Sequence, residues 1–279
     1  MKTIWITGGS SGIGFDAVSA FKKRGHRVIA SCRKREDLDK LASLGIEAVL
    51  LDVSDSISIN DAFSEVMAMT NGRLDVLINN AGYGQAGALE DITRDVLRKQ
   101  FETNVFGLLE LTNLVIPVMR QQGRGRIINL SSILGIISMP FRGAYNASKY
   151  AVEGLSDTLR LELKSSGIQV ITIEPGPIES RFRDNVIDGT LPSVDINKSH
   201  YTKQYESMLS TYKQKKADSV FTKTTQAVID KLVHAIESPS PRAKYPVTMP
   251  AHLFIFLKRI LSTKMLDRIF LLISKKELS

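Results

Sequence analysis

Six short runs of the chain are apolar on both alternations and rich in β-branched or leucine side chains: residues 3–7, 27–31, 47–51, 74–79, 126–131 and 169–173. A strand with one face in water alternates apolar and polar residues. A strand without that alternation is buried on both faces, as in a parallel sheet covered by helices. Helix-length segments separate the runs, at about 12–24, 34–44, 57–70, 93–121 and 144–165. Strand–helix alternation of this kind predicts an α/β architecture, a doubly wound parallel sheet with helices on both faces.

The rhythm breaks at residues 176–222, where Pro177, Gly189 and Pro192 stand among polar residues. An insertion of that length reads as a lid or binding loop, placed at about 183–222. A helix resumes over 223–237, and 243–248 reads as a last strand, near a sheet edge because of Pro246. The expected organisation is one catalytic domain over 1–250, about seven strands in all, followed by a basic amphipathic helical tail over 251–279. Apolar residues at 254, 257, 261, 265, 269 and 272 form one helical stripe in that tail. Lys258, Arg259, Lys264, Asp267 and Arg268 interrupt any membrane-spanning length. Two readings of the stripe stay open: packing against the body or a second subunit, or lying in a membrane interface.

The first strand runs into Thr7-Gly8-Gly9-Ser10-Ser11-Gly12-Ile13-Gly14 and then a helix. Glycines let the backbone turn tightly against a pyrophosphate, and the helix N-terminus offers N–H groups and a positive dipole end. Gly8, Ser10, Ser11, Gly12, Ile13 and Gly14 are the candidate phosphate cradle of a Rossmann-type dinucleotide site. An NAD site wants a carboxylate at the end of the second strand. Here that strand ends Ala30-Ser31-Cys32-Arg33-Lys34-Arg35. A 2′-phosphate is repelled by a carboxylate and held by arginine, so NADP(H) is expected, with Arg33 the leading contact and Ser11 beside it.

Tyr145-Asn-Ala-Ser-Lys149 lies in a helical stretch, which puts the tyrosine and the lysine on one face, a turn apart. An ammonium there is expected to lower the phenol pKa and let it exchange a proton near neutrality. Ser131 and Ser132 end the preceding strand, Asn79-Asn80-Ala81-Gly82 ends the one before, and Asn104 lies in the segment between. Ligands of such sheets bind at these carboxyl ends.

With Pro175-Gly176, these motifs occur in an order that resembles the short-chain dehydrogenase/reductase family, in its steroid- and retinol-dehydrogenase-like branch, strongly over residues 1–180. The resemblance implies that Tyr145 is the general acid toward a carbonyl oxygen and that Ser132 polarises it. It implies that Lys149 holds the nicotinamide ribose, and that Asn104 shapes a water-linked proton path to Lys149. Asp52 and Val53 would face the adenine. Asn80, Ala81 and Gly82 would line the adenosine ribose. Pro175, Gly176 and Ile178 would flank the nicotinamide, and Ser180 stands where the family usually has threonine. Serine at 131 leaves open which serine acts; the thirteen-residue interval to Tyr145 favours Ser132.

Leu134, Ile136, Ile137, Met139, Phe141, Ile178 and Phe182 are the expected pocket wall, with Tyr201, Tyr205 and Met208 from the lid. Such a wall suits a lipophilic aldehyde, ketone or secondary alcohol. A membrane-associated keto-lipid reductase is the second reading, and a non-catalytic NADP(H) sensor a third. The net charge of +8 arises entirely in residues 200–279, which hold 14 Lys+Arg against 6 Asp+Glu. That placement fits an anionic membrane surface, an acidic partner or a solvated basic face, and no nucleic-acid motif accompanies it. The single cysteine excludes an internal disulfide framework, and the scattered histidines give no metal spacing. No signal peptide is assigned. A cytoplasmic homodimer or homotetramer is expected, with 93–121 and 144–165 at the interface.

Overall fold

The structure is a computed structural model that describes residues 1–179, 186, 189, 193–213 and 221–278. Ser180, Phe182 and part of the expected lid lie outside the described residues.

Seven parallel strands form one sheet: β1 Thr3–Ile6, β2 Arg27–Cys32, β3 Glu47–Leu50, β4 Val76–Asn79, β5 Gly125–Leu130, β6 Ile168–Glu174 and β7 Lys244–Pro246. Their spatial order is β3-β2-β1-β4-β5-β6-β7, so the winding reverses between β1 and β4. The register explains the doubly apolar strands. Ala30, Ile6, Ile78, Ile128 and Ile171 pair into one row across the sheet, and Ile29, Trp5, Leu77, Ile127 and Val170 into the next. The first row packs under α1 (Gly12–Lys23) and α8 (Gln226–Glu237), on Val18, Phe21, Leu232 and Ile236. The second packs under α3 (Ser56–Met69), α5 (Gly107–Gln121) and α6 (Gly143–Glu162), on Ile59, Val66, Leu111, Val115 and Leu159. Each such side chain contributes about 1.5–3 kcal/mol when fully buried, so neither row tolerates a polar substitution. The remaining helices are α2 (Arg35–Ser43), α4 (Arg94–Phe101), α7 (Thr202–Lys213), α9 (Met249–Ile260) and α10 (Thr263–Leu278).

Two segments depart from the sequence expectation. Residues 94–121 follow one unbroken helical path, but a widened π turn over Glu102–Phe106 interrupts its regular spacing and separates α4 from α5. A close approach of two backbones lies next to it. A Cβ at Gly107 would stand 1.6 Å from the Val53 carbonyl oxygen, so α5 begins on a glycine pressed against the loop after β3. The wider turn brings Asn104 inward, 1% exposed.

The tail is not one stripe either. Leu261 is extended (φ −95°, ψ 147°), and the Ser262 carbonyl accepts from Met265 and Leu266 N–H, which restarts the chain as α10. The restart rotates the apolar face. Leu266 and Phe270 pack with Ala251, Ile133 and Ile137, while Met265 and Leu272 of the expected stripe are exposed.

Candidate active site

The carboxyl ends of β1, β4, β5 and β6 lie side by side, and most described site residues gather there or on the helices that follow, with Arg33 after β2 and Asp52 and Val53 after β3. Gly8 and Gly12 have φ of 66° and 54°, conformations that favour glycine. A Cβ at Gly14 would stand 2.1 Å from the Gly8 carbonyl oxygen. The loop is braced from β4. Thr7 Oγ1 accepts from the N–H groups of Asn80 and Ala81 at 3.0 and 2.9 Å. Asn80 Nδ2 donates to the carbonyls of Thr7 and Gly8 at 2.9 and 3.1 Å. The Asn80 side chain therefore holds the loop rather than facing the ribose.

Ser10, Ser11 and Ile13 are half-buried around this turn. Ser11 caps α1 with extended backbone and makes no capping bond through its hydroxyl, and no acidic residue occupies the first turn. This donor set, with glycines wherever a Cβ would fill the cradle, fits a dinucleotide pyrophosphate.

Arg33 follows β2 and is exposed, with no ion pair among the described residues. Its charge reaches Tyr83, whose phenol it favours ionising against the larger effect of burial, which raises the pKa. Arg33 therefore lies within electrostatic reach of the Tyr83 side chain. The neighbouring Cys32 thiol is pushed up to about 11 by burial and then by Asp37, so it is no nucleophile at neutral pH. Asp52 Oδ1 accepts from Ser54 N and Oγ at 2.9 and 2.6 Å. Val53, behind it, is fixed by the contact with Gly107.

Tyr145 and Lys149 share one face of α6, with Lys149 Nζ 5.8 Å from the centre of the Tyr145 ring. Lys149 Nζ donates to the Leu130 carbonyl at 2.6 Å. Ser132 hydrogen-bonds Tyr145 and accepts from Leu134 N at 3.1 Å. Ser131 Oγ is buried without a partner among the described residues, whereas Ser132 meets the Tyr145 phenol. Asn104 Oδ1 accepts from Tyr83 N at 3.1 Å, and its Nδ2 donates to Tyr83 O and Ser148 Oγ at 2.9 and 3.1 Å. Ser148 Oγ in turn donates to the Tyr145 carbonyl at 2.8 Å. Thr7, Tyr83 and Ser148 are site residues that sequence reasoning missed, although Thr7 and Ser148 lie inside the two motifs it used.

One expectation is corrected. The phenol of Tyr145 is pushed up to about 12 by burial, and the Ser132 hydrogen bond only partly opposes this. Burial also lowers Lys149 to about 8, against the opposing charge of Glu153. Burial therefore sets the state of the phenol, and the Lys149 ammonium directs its proton at a backbone carbonyl. Tyr145 is thus held protonated, the form an acid needs.

Beyond Lys149 lies a charged cluster, with Glu153 and Glu174 buried and Asp157 and Lys244 half-buried, that the sequence reading did not single out. Glu153, one turn beyond Lys149, pairs with Lys244 at 2.7 Å, and Asp157 with the same lysine at 3.1 Å. Glu153 Oε1 has no partner among the described residues. Glu174 is pushed up to about 7, by burial first and then by Glu153. It immediately precedes Pro175-Gly176, where a Cβ at Gly176 would stand 2.1 Å from Thr248 Oγ1. Ile178 forms a bridge with Lys223 through the Pro177 carbonyl and the Glu179 N–H, so its own peptide groups are not used in that bridge.

A cavity of about 1390 Å³ opens along α6, with Asn146, Ala147 and Tyr150 in its lining; Tyr145 and Ser132 are not lining residues. Met139, Phe141 and Tyr201 of the expected wall line it. Phe141 is held at φ 58°, and its ring meets the edges of Tyr201 and Tyr205, each at 5.4 Å. The other expected wall residues have different roles. Leu134, Ile136 and Ile137 pack with the tail helices, and Ile178 on the core under α1. Met208 is buried beneath the wall, as is Tyr205, whose hydroxyl bonds Ala88 N and Asp91 at 2.7 and 2.9 Å.

The family described as short chain dehydrogenase matches residues 2–190. The chain is 41% identical over 268 residues to the uncharacterized oxidoreductase YbbO of Escherichia coli, covering 96% of this chain and 93% of that one. It is 42% identical over 185 residues to a 3-ketodihydrosphingosine reductase of Bacteroides thetaiotaomicron, 66% of each chain. Among solved structures, a short-chain dehydrogenase from Streptomyces avermitilis is similar with a TM-score of 0.77 and 30% identity, over 99% of this chain and 96% of that one.

Proposed function

Because the chain belongs to the short-chain dehydrogenase/reductase family, oxidoreductases of CH–OH groups that use NAD(P)(H), we propose that it is an NADP(H)-dependent reductase of lipophilic aldehydes or ketones. The observation that carries this is the buried Tyr145 phenol, hydrogen-bonded to Ser132 with Lys149 on the same helix face. NADPH, when bound, supplies the hydride. Gly8, Ser10, Ser11, Gly12, Ile13 and Gly14 hold its pyrophosphate, and Arg33 holds the 2′-phosphate at a strand end that lacks a carboxylate. Asp52, Val53, Ala81 and Gly82 line the adenosine, while Pro175, Gly176 and Ile178 flank the nicotinamide.

Ser132 and Tyr145 together orient the carbonyl oxygen. Tyr145 gives its proton to that oxygen as the carbon gains the hydride, which yields the alcohol. Lys149 holds the ribose hydroxyls, and its proton, near neutrality in affinity at about 8, replenishes the phenol. Asn104, locked to Tyr83 and Ser148, positions the helix segment that bears both groups.

The cavity supports the substrate class, since Leu89, Met139, Phe141 and Leu271 line it. A keto-lipid is the second reading, favoured by the similarity to the 3-ketodihydrosphingosine reductase. The buried single cysteine is consistent with a cytoplasmic location. Phe106 and Leu161, 51% and 71% exposed beside and on the α5 and α6 helices, support a homodimer or homotetramer through those elements.

A screen of steroids, retinoids and short and long aldehydes with NADPH, read as absorbance loss at 340 nm, tests the proposal. Turnover should rise with apolar chain length. Absence of turnover with every carbonyl would leave only the sensor reading and refute the enzyme.

A further inference from the structure

The α9 helix is apolar on two opposite sides. One side packs inward: Ala251 is fully buried, and Phe254, Ile255 and Leu257 join it against Ile133 and Ile137. Lys258 turns the same way and donates to the Ile136 carbonyl and, at 2.9 Å, to the Tyr150 hydroxyl. The other side carries Met249, Leu253, Phe256 and Ile260, between 43% and 60% exposed. Their spacing of four, three and four residues confines them to an arc of about 60°. A soluble helix has no use for a second apolar stripe directed away from its own core.

On α10 the outward face mixes two rows. Met265 and Leu272 are 49% and 72% exposed, and Lys264, Arg268 and Lys275 run alongside on one line. Residues 249–275 hold five cations, Lys258, Arg259, Lys264, Arg268 and Lys275, against one carboxylate, Asp267. None of Arg259, Lys264, Arg268 or Lys275 has an ion pair among the described residues. Neither helix is long and apolar enough to cross a membrane.

Apolar stripes bordered by unpaired cations match the layered chemistry of an anionic bilayer surface, acyl chains beneath phosphates. They do not match a second copy of the same face. A two-fold contact would set each cation row near its own duplicate. The cavity adds a reason for the arrangement: Arg268, Leu271, Leu272 and Lys275 of α10 form part of its lining, and Leu271 and Leu272 are also 64% and 72% exposed. The cavity rim and the outward face of α10 are one surface.

We propose that α9 and α10 seat on an anionic lipid bilayer, and that the cavity beside α6 fills from the lipid side past Leu271 and Leu272. The docking stands independently of the reductase reading; the filling rests on it.

The full-length protein is sedimented with vesicles of phosphatidylcholine alone and with about 30% phosphatidylglycerol. At least about tenfold more protein should partition to the anionic vesicles, and about 0.5 M NaCl should release most of it. The doubly exposed variant Phe256→Asp/Ile260→Asp should lose about tenfold in partition while its NADPH binding and melting temperature stay unchanged. Equal partition to both vesicles, or none, would overturn the docking. So would a stable dimer by light scattering that the variant dissolves, since the face then belongs to a second copy.

For the filling, NADPH oxidation is compared with a long-chain ketone embedded in anionic vesicles and with a short water-soluble aldehyde. The variant should slow the first about tenfold and leave the second unchanged. Equal effects would overturn the filling. If wild-type protein reduces neither, the reductase reading and the filling with it fail, while the vesicle result still decides the docking.

Discussion

Gly14→Ala tests whether the glycine corner is built for a dinucleotide or is a structural turn. The new Cβ would stand 2.1 Å from the Gly8 carbonyl oxygen and 2.6 Å from Asn80 Nδ2. Ordinary contact needs about 3.4 Å, so the Gly8 carbonyl must retreat by more than an ångström, and it is backbone that cannot rotate away. Its movement breaks the Asn80 bond to Gly8 and disturbs the bond to Thr7, each worth about 0.5–1.5 kcal/mol net. Overpacking of this kind destabilises by about 1–3 kcal/mol, which urea unfolding resolves. The displaced carbonyl also tilts the peptide planes that face the pyrophosphate. A lost charge-assisted hydrogen bond there is worth about 1.5–3 kcal/mol, so the NADPH dissociation constant should rise at least about tenfold. Titration of NADPH fluorescence measures it. A variant with an unchanged dissociation constant, even if less stable, would refute the assignment of this loop to the phosphates.

Gly154→Ala should act in the opposite direction. Nothing lies within 4 Å of its Cβ position inside α6, and the helix should gain about 0.5–1 kcal/mol in urea unfolding. Arg33→Ala should raise the Michaelis constant for NADPH at least about tenfold and that for NADH less than about twofold; equal changes would contradict the 2′-phosphate contact. Glu174 is pushed up to about 7 from 4.5, so the folded state binds more protons than the unfolded one between those values, and stability should fall as pH rises through that window. Glu174→Gln removes that penalty: relative to wild type it should gain about 2–3 kcal/mol at pH 8 and little at pH 4.5, by urea unfolding at both.

Much of the fold was legible because burial on both faces of a sheet leaves a sequence trace: Ile4, Trp5 and Ile6 are apolar in turn, which only a covered parallel strand requires. The Tyr145–Lys149 spacing was legible because helix geometry converts a four-residue interval into a shared face. Other features left no such trace. The π turn that carries Asn104 inward lies beside the approach of Gly107 to Val53, a neighbour more than fifty residues earlier that no local pattern announces. The tail stripe failed because Leu261 leaves the helix, and a local pattern of apolar residues reads through such a break. The Tyr145 pKa was misjudged for a related reason. The attracting cation is visible in sequence, whereas the depth of burial that outweighs it is a property of the assembled layers. Lys244 shows the same limit, because only the final strand's position beside β6 reveals its ion pair with Glu153.

The proposed reductase chemistry stands on the Tyr145 hydroxyl as the proton donor. Tyr145→Phe removes that one oxygen and leaves the ring that packs there. With NADPH and the best aldehyde of the screen, turnover should fall by about 10²–10⁴-fold while the NADPH dissociation constant stays within about threefold. Turnover close to that of the unaltered protein would contradict the claim outright.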